Sequence, residues 1–592
     1  MRFSTGTQAR ASCLLLLVYA VGKVAGTNFT RCLIDLVANA TASQNLTGLL
    51  NGDGDPVSNA SDATAISYSL CTSVCGTGPQ DLFRWAVFSE DFSSWLLPYL
   101  ALISQLPFGA QYRLDNLMSA VLTVGSPALA GYSLFITILN SRWINRRFTQ
   151  SVDYPNSRFA SSILASLQQV PLRLQFDRAH FPSLVVLPEN DIWWKYFPEL
   201  VDYTHTWSIA TAASVTWVIV ASILTVADSP WNSYVSYQAG GEGTGMMWLW
   251  LLPIVIGWLQ LSPKCDFDRL QSAYERADRY TRGAASYSHL GIPPTSTRRA
   301  LTITAQEEDV MSPDELLTPP VFNYSRSLQW ASTANTIFLV FKVASEKTQN
   351  RIPVQIGSDW VESDTPKDIH PSNRRGSPQE ITEYCAQPVD AQRSHWAPGV
   401  FTRMAVASCV SLALQCGTIG AAFVVAWFDP ATVRFLIYTT FMVELANFRQ
   451  GLGCRSLAYI IYGVISTVIW MMLLVSSVLA HYSAAHSRRV SLPARVALAL
   501  SHWLRWMAKL LAIVNSMWAV ALCAIVYSNV FNTCFCNSSM FSRGKGAYNV
   551  VREITAQVAL VKATWIVSLV MASISVLFLL GLVNLLLDTL PS

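Results

Sequence analysis

Charge buried in hydrocarbon is expensive, so an ionisable side chain inside an apolar stretch is the first place to look for chemistry. This chain offers few. Glu444, in the short apolar stretch Phe435–Ala446, is the one acid so placed. Gln105 and Asn116 are the polar groups nearest a second short stretch, Ser93–Phe108, and with Glu444 they are candidates to line a polar cavity. Lys509 lies near the end of an apolar run, where its stem can carry the ammonium to the surface. No histidine or aspartate falls mid-span, which argues against haem ligation, histidine-dependent acyl transfer and aspartyl intramembrane proteolysis. No zinc-ligand spacing occurs, and the run Gly240–Gly245 lacks the lysine of a phosphate loop. The expectation is therefore no catalytic residue, no cofactor and no metal, and a chain that is not an enzyme.

Three other residue patterns carry covalent chemistry. Sequons at Asn28, Asn39, Asn45, Asn59 and Asn537 are candidate glycosylation sites, four of them within one short segment. Cys32, Cys71, Cys75, Cys454, Cys534 and Cys536 are disulfide candidates in an oxidising compartment, with the pairing open. Ser377 and Ser491 each follow a pair of arginines, Arg374-Arg375 and Arg488-Arg489, and are candidate phosphoacceptors.

The elements that must position these groups follow from composition. Of 592 residues, 52% are hydrophobic and 13% charged, with mean hydropathy +0.32; a soluble domain carries about 25% charged residues. Runs of about 20 apolar residues can cross a bilayer core. The fold class expected is an all-α membrane protein with about seven transmembrane helices. The net charge of +4 and the lack of a basic-aromatic patch argue against nucleic acid.

Residues 1–26 read as a signal peptide, with Arg2 and Arg10 before the apolar core Cys13–Gly22. Residues 27–92 follow as a small luminal, glycosylated segment. Spans are expected at 117–139, 207–227, 246–261, 404–428, 457–480, 506–531 and 564–587, and Gly125, Pro127 and Gly131 predict a kink or close packing in the first. The stretches 93–108 and 435–446 are too short or too broken and read as re-entrant or interfacial. Under this arrangement Lys and Arg near span ends favour the cytosolic side two to one, Arg142, Arg146 and Arg147 among them. The N-terminus is then luminal or extracellular and the C-terminus cytosolic, in a secretory-pathway or plasma membrane.

The cytosolic face is expected to comprise residues 140–206 and the long loop 262–403. Phe159, Ile163, Leu167 and Val170 fall at helical spacing, as do Leu328, Ala331, Ala334, Phe338 and Phe341; the second stripe is expected to dock on the first or on the bilayer surface. Asp359–Ala397 reads as disordered by composition. The partners implied are the lipid bilayer and cytosolic proteins recruited through 140–206 and 262–403.

The motifs Trp95-Leu96-Leu97-Pro98-Tyr99-Leu100-Ala101, Gln105-Leu106-Pro107-Phe108, Val124-Gly125-Ser126-Pro127-Ala128-Leu129 and Phe341–Lys347 resemble a group of uncharacterised multi-pass membrane proteins of fungi. The match covers the N-terminal half and, in outline, the later spans. It implies a fungal secretory-pathway or plasma-membrane protein and transfers no functional residue. The function expected is a non-catalytic membrane scaffold or sensor. The alternatives are a transporter or channel with its site near the short broken segments, and a seven-span receptor.

Overall fold

The computed structural model describes residues 29–588 except 44–45, 53, 77–84, 107–112, 171, 175–179, 202–207, 229–241, 263–268, 278, 280–300, 303–323, 325, 364–367, 387–395, 427–452, 487–491, 532 and 552–554. The signal segment, Asn28, Asn45, Asn323, Glu444 and Ser491 lie outside the described residues.

The N-terminal segment and a region nearly 500 residues later build one small cap. Helix α1 (Phe29–Ser43) packs beside a three-stranded antiparallel sheet of β1 (Leu49–Leu50), β2 (Ala65–Ser67) and β3 (Tyr548–Val550). Ile66 pairs with Leu49 on one side and Asn549 on the other. Leu33, Leu49, Ala60 and Ile66 are its apolar centre, too few to hold so small a unit unaided. Covalent links compensate: Cys32–Cys75, Cys71–Cys534 and Cys454–Cys536 use all six cysteines singled out in the sequence.

Below the cap stands a helical bundle. Trp85–Asp91 (α2), the π-helical turn Phe92–Leu96 and Leu97–Ile103 (α3) follow without a gap, and Pro98 sits in the first turn of α3, where its missing N–H costs nothing. The remaining members are α4 (Arg113–Gly125), α5 (Pro127–Ser151), α9 (Ile209–Asp228), α10 (Glu242–Trp248) with α11 (Leu251–Leu261), α14 (Val400–Ala426), α15 (Cys454–His486), α16 (Leu492–Val526) and α17 (Thr555–Asp588). Among the described residues five helices are long and apolar enough to cross a membrane, or six if the bent pair α4–α5 is one span. The count of seven is thus not reached by length and apolarity; Ile209–Leu224 of α9 is apolar but shorter.

The outer faces of these helices are apolar. On α16, Val496, Leu500, Trp503, Trp506, Leu510, Val514 and Met517 recur every three or four residues and stay exposed. No water-soluble surface carries so long a greasy stripe, and lipid is the medium that fits it. Inside, small residues bring helices close: a Cβ on Gly417 of α14 would stand 1.9 Å from Ser575 Oγ of α17.

Beyond the other end of the bundle lies a folded module. It holds α6 (Ser157–Ser166), α7 (His180–Val186), α8 (Asp191–Val201), α12 (Ser327–Gln349) and α13 (Pro378–Tyr384). The α12 stripe is buried as its spacing predicts, and Trp330 Nε1 donates to Leu164 O of α6 at 3.0 Å. Phe159 is the exception on α6, turned outward while Ala160, Ile163 and Leu164 face in.

The polar composition of 359–397 misled: its described parts are folded. Arg374 reaches into the module and makes a bidentate pair with Asp191, both bonds 2.7 Å, while its Nε donates to Val186 O and its guanidinium lies over Tyr154. Ile381 and Tyr384 then drop into the core.

Cys385 closes that layer, and burial pushes its thiol up to about 12. An unfolded cysteine titrates near 8.5. The folded module therefore holds that proton more tightly, and its stability is full below about pH 8.5 and declines as pH rises toward 12. Maleimide at pH 8 is expected to leave Cys385 unlabelled until the module unfolds; rapid native labelling would contradict the packing. Peptide mapping without reduction should recover the three disulfides above. Replacing both Cys71 and Cys534 by Ser should cost about 2–4 kcal/mol, read as a lower unfolding midpoint.

A candidate functional site at a broken helix

The stretch Leu117–Leu139 is not one straight span. It breaks between α4 and α5 with a bend of 107°, so α5 turns back from the direction α4 was taking. The cause is local. Ser126 leaves helical geometry at φ −147°, ψ 88°, and its hydroxyl accepts from Leu129 N at 3.3 Å as a helix N-cap. Pro127 follows at the first helical position, where its ring fits and its lost donor is not missed.

Such a break strips partners from peptide groups where no water can replace them, at several kcal/mol each. Three neighbouring helices replace them. Tyr462 OH of α15 donates to Val124 O at 2.7 Å, and Asn515 Nδ2 of α16 donates to Gly125 O at 2.7 Å. Gln415 Oε1 of α14 accepts from Ala128 N at 3.1 Å and from Ser466 Oγ at 2.5 Å. The other end of that amide donates to Gly463 O at 3.0 Å and Thr467 Oγ1 at 2.8 Å, and Ser126 Oγ donates to Ser466 O at 2.9 Å. Asn515 Nδ2 is shared with Tyr462 O at 3.2 Å. One buried atom is left over, since Asn515 Oδ1 has no hydrogen-bond partner.

Close approach makes the lock possible. A Cβ on Gly125 would stand 2.5 Å from Ala512 O, a backbone atom that cannot swing aside. Gly131 abuts Ser411 and Gly257 abuts Leu134 in the same manner.

The lock holds amides, hydroxyls and a phenol, and these groups serve as donors and acceptors to the broken backbone and to one another. Its half-helix N-terminus would suit an anion, yet Ala128 N and Leu129 N already have acceptors. Among the described residues no three His, Cys, Asp or Glu side chains come together as metal ligands would. What remains is a hydrogen-bonded clasp on which the position of α5 depends.

The far end of α5 is buried again. Phe148 meets Phe338 and Phe341 edge-on at 5.5 Å, and Trp143 meets Trp330. Gln168 Nε2, from just after α6, donates to Thr137 O at 3.0 Å and Ser141 Oγ at 2.7 Å. The helix thus starts in the clasp and ends in the module.

Other sequence candidates fall elsewhere. Gln105 accepts from Thr211 Oγ1 of α9 at 2.6 Å and bonds to Ser104, while Asn116 lies on α4. Ser377 is exposed as the N-cap of α13, its hydroxyl accepting from Glu380 N while Glu380 accepts from Ser377 N. Its two arginines are engaged, Arg374 with Asp191 and Arg375 with Glu189. Asn39 and Asn59 are exposed on the cap, and Asn537 is half-buried beside Cys536. Lys509 is half-buried in α16.

No family model, no curated protein and no solved structure matches this chain.

Sequence reasoning passed over Gln415, Ser466 and Asn515 because it weighed charges, and neutral amides in apolar helices left no such mark. The kink and close packing expected from Gly125, Pro127 and Gly131 are present, as a 107° bend between the first two and close approaches at both glycines. Gln415→Leu should lower thermal stability in detergent by about 1–2 kcal/mol, a few interhelical hydrogen bonds at about 0.6 kcal/mol each. Gly125→Leu should be worse, because the clash is with backbone. Equal, negligible shifts for both would mean the clasp is not formed.

Proposed function

We propose that the chain is a non-catalytic membrane scaffold or sensor, in which the helical bundle carries a folded cytosolic module that recruits protein partners. The observation that supports this most is helix α5. It is one 25-residue helix that begins at the break held by α14, α15 and α16 and whose last turns form part of the module core. A displacement at the clasp must move the module or break its aromatic contacts, and coupling of this kind is typically worth about 1–3 kcal/mol. Closure of the half-helix N-terminus by Gln415 and Ser126 favours this reading over a transporter, whose break would offer those groups to a solute.

The orientation proposed has the disulfide cap luminal or extracellular and the C-terminus cytosolic. The pairing of Cys71 with Cys534 and of Cys454 with Cys536 supports it, since disulfides persist only on the oxidising side. In this arrangement the gapless run Trp85–Ile103 crosses, while the bent pair α4–α5 enters and leaves from the module side. Asp115, at the start of α4, feels the charges of Lys509 and Arg326, the latter bonded to Gln169 O in the module. The two short and bent elements thus exchange the roles the sequence assigned them; Arg113, at the start of α4, moves from the luminal to the module side, and the loops after α5 keep their sides.

Hydrogen exchange on the full chain in nanodiscs tests the coupling. Gln415→Leu should raise exchange at residues 128–130 and also in α12 around Phe338 and Phe341, where it packs on Phe148 at the far end of α5. Faster exchange at the clasp with α12 unchanged would separate bundle from module and remove the sensor reading. Glycosidase mapping tests the orientation: sugar belongs on Asn39, Asn59 or Asn537 and never on Asn323, and sugar on Asn323 would invert it.

A further inference from the structure

We propose that the module end of the bundle, where α5 meets the start of α14, binds the phosphate-bearing headgroup of an anionic membrane lipid through Arg403, Arg146 and Arg147. The carrying observation is Arg403. Its side chain is buried, 8% exposed, with Nε donating to Asn140 Oδ1 at 2.8 Å and Nη1 donating to Pro398 O at 3.0 Å. Nη2 is equally buried and has no hydrogen-bond partner.

Arg403 is not alone. Its guanidinium lies 4.1 Å over the Trp143 ring, and Arg147 lies 5.2 Å from the same indole and 3.9 Å over Phe338. Arg147 also donates to Asn335 Oδ1, and Arg142, one turn before the exposed Arg146, donates to Leu586 O at 3.3 Å. Every partner is a neutral carbonyl, amide or ring. Among the described residues none of these four arginines pairs with a carboxylate.

The same molecule shows what a purely structural buried arginine receives. Arg374 is 5% exposed at its side chain and is met by both oxygens of Asp191. Arg403 is buried to a similar extent and gets no counter-charge from the described residues. Neutral acceptors orient a guanidinium without cancelling its charge, and an unpaired charge in such a place is strongly unfavourable. An anion with several acceptor oxygens is the missing partner, and phosphate fits the guanidinium fork.

Position argues for a lipid as its source. The last turns of α11 and α17 end at this level, where Gln260 Nε2 meets Asn584 Oδ1 at 2.9 Å, so the site lies at the rim of the apolar bundle. On α14, Phe401 and Val406 flank Arg403 and are exposed, apolar surface on which acyl chains can lie. Basic residues at such a rim are the usual receivers of anionic headgroups.

The full chain in phosphatidylcholine nanodiscs, titrated with dioctanoyl phosphatidic acid, tests this. The unfolding midpoint should rise and native mass spectra should retain one phosphatidic acid. Arg146→Gln, an exposed change that leaves the fold intact, and Arg147→Gln should each weaken the titration about fivefold, the factor equivalent to about 1 kcal/mol per basic residue. Arg403→Gln should abolish it; if that variant does not fold, the other two decide. A shift no larger than with dioctanoyl phosphatidylcholine, or both variants binding as the parent does, overturns the proposal. An equal shift with inorganic phosphate at the same concentration overturns the lipid as occupant.

Discussion

A peptide group inside an apolar bundle has no water to fall back on, and that constraint fixes the centre of this molecule. Breaking the chain at Ser126 exposes carbonyls at Val124 and Gly125 and amides at Ala128 and Leu129. Each must find protein, so Gln415, Tyr462 and Asn515 have to stand at the same level on three different helices. The registers of α14, α15 and α16 are therefore set by the break as much as by apolar packing. Hydrophobic burial alone would tolerate sliding by a turn; three interhelical hydrogen bonds with 2.7–3.1 Å geometry do not.

From that fixed point the constraint runs outward in both directions. Tyr462 and Asn515 lie on the helices that lead to the cap, and the links Cys454–Cys536 and Cys71–Cys534 tie the ends of α15 and α16 to the N-terminal segment. On the other side α5 enters the module, where Arg374 and Asp191 pin the segment after α12 against the start of α8. Two covalent or ionic fasteners thus secure the ends, and a neutral hydrogen-bond clasp secures the middle.

How legible this was depends on the kind of signal. Span positions on α14, α15, α16 and α17 came from apolar runs, a long-range average that a few polar residues barely perturb. The α12 stripe came from helical spacing, which Leu328, Ala331, Ala334, Phe338 and Phe341 keep without exception. Hydropathy carries no directional information, however: Gly125, Pro127 and Gly131 marked a kink in 117–139 but not that α5 would turn back by 107°. Composition failed at 359–397 because one arginine with a bidentate partner can anchor a polar segment that has little apolar surface of its own. The cysteines were legible as a set but not as pairs, since the pairing depends on β2 lying against β3, a contact nearly 500 residues long in the chain.

Neutrality at the clasp and uncompensated charge at the rim are best understood together. A carboxylate beside Gln415 would satisfy the broken backbone equally well, but it would bring a titration and a large desolvation penalty into the bundle. Amides and hydroxyls supply the bonds without either, so the clasp responds to displacement rather than to pH. Charge is instead placed where α5 leaves the bundle, on Arg142, Arg146, Arg147 and, across the interface, Arg403. The same helix therefore meets a mechanical restraint at its first turn and an electrostatic one about five turns later. Any anion gathered at the second bears directly on the helix that the first one holds.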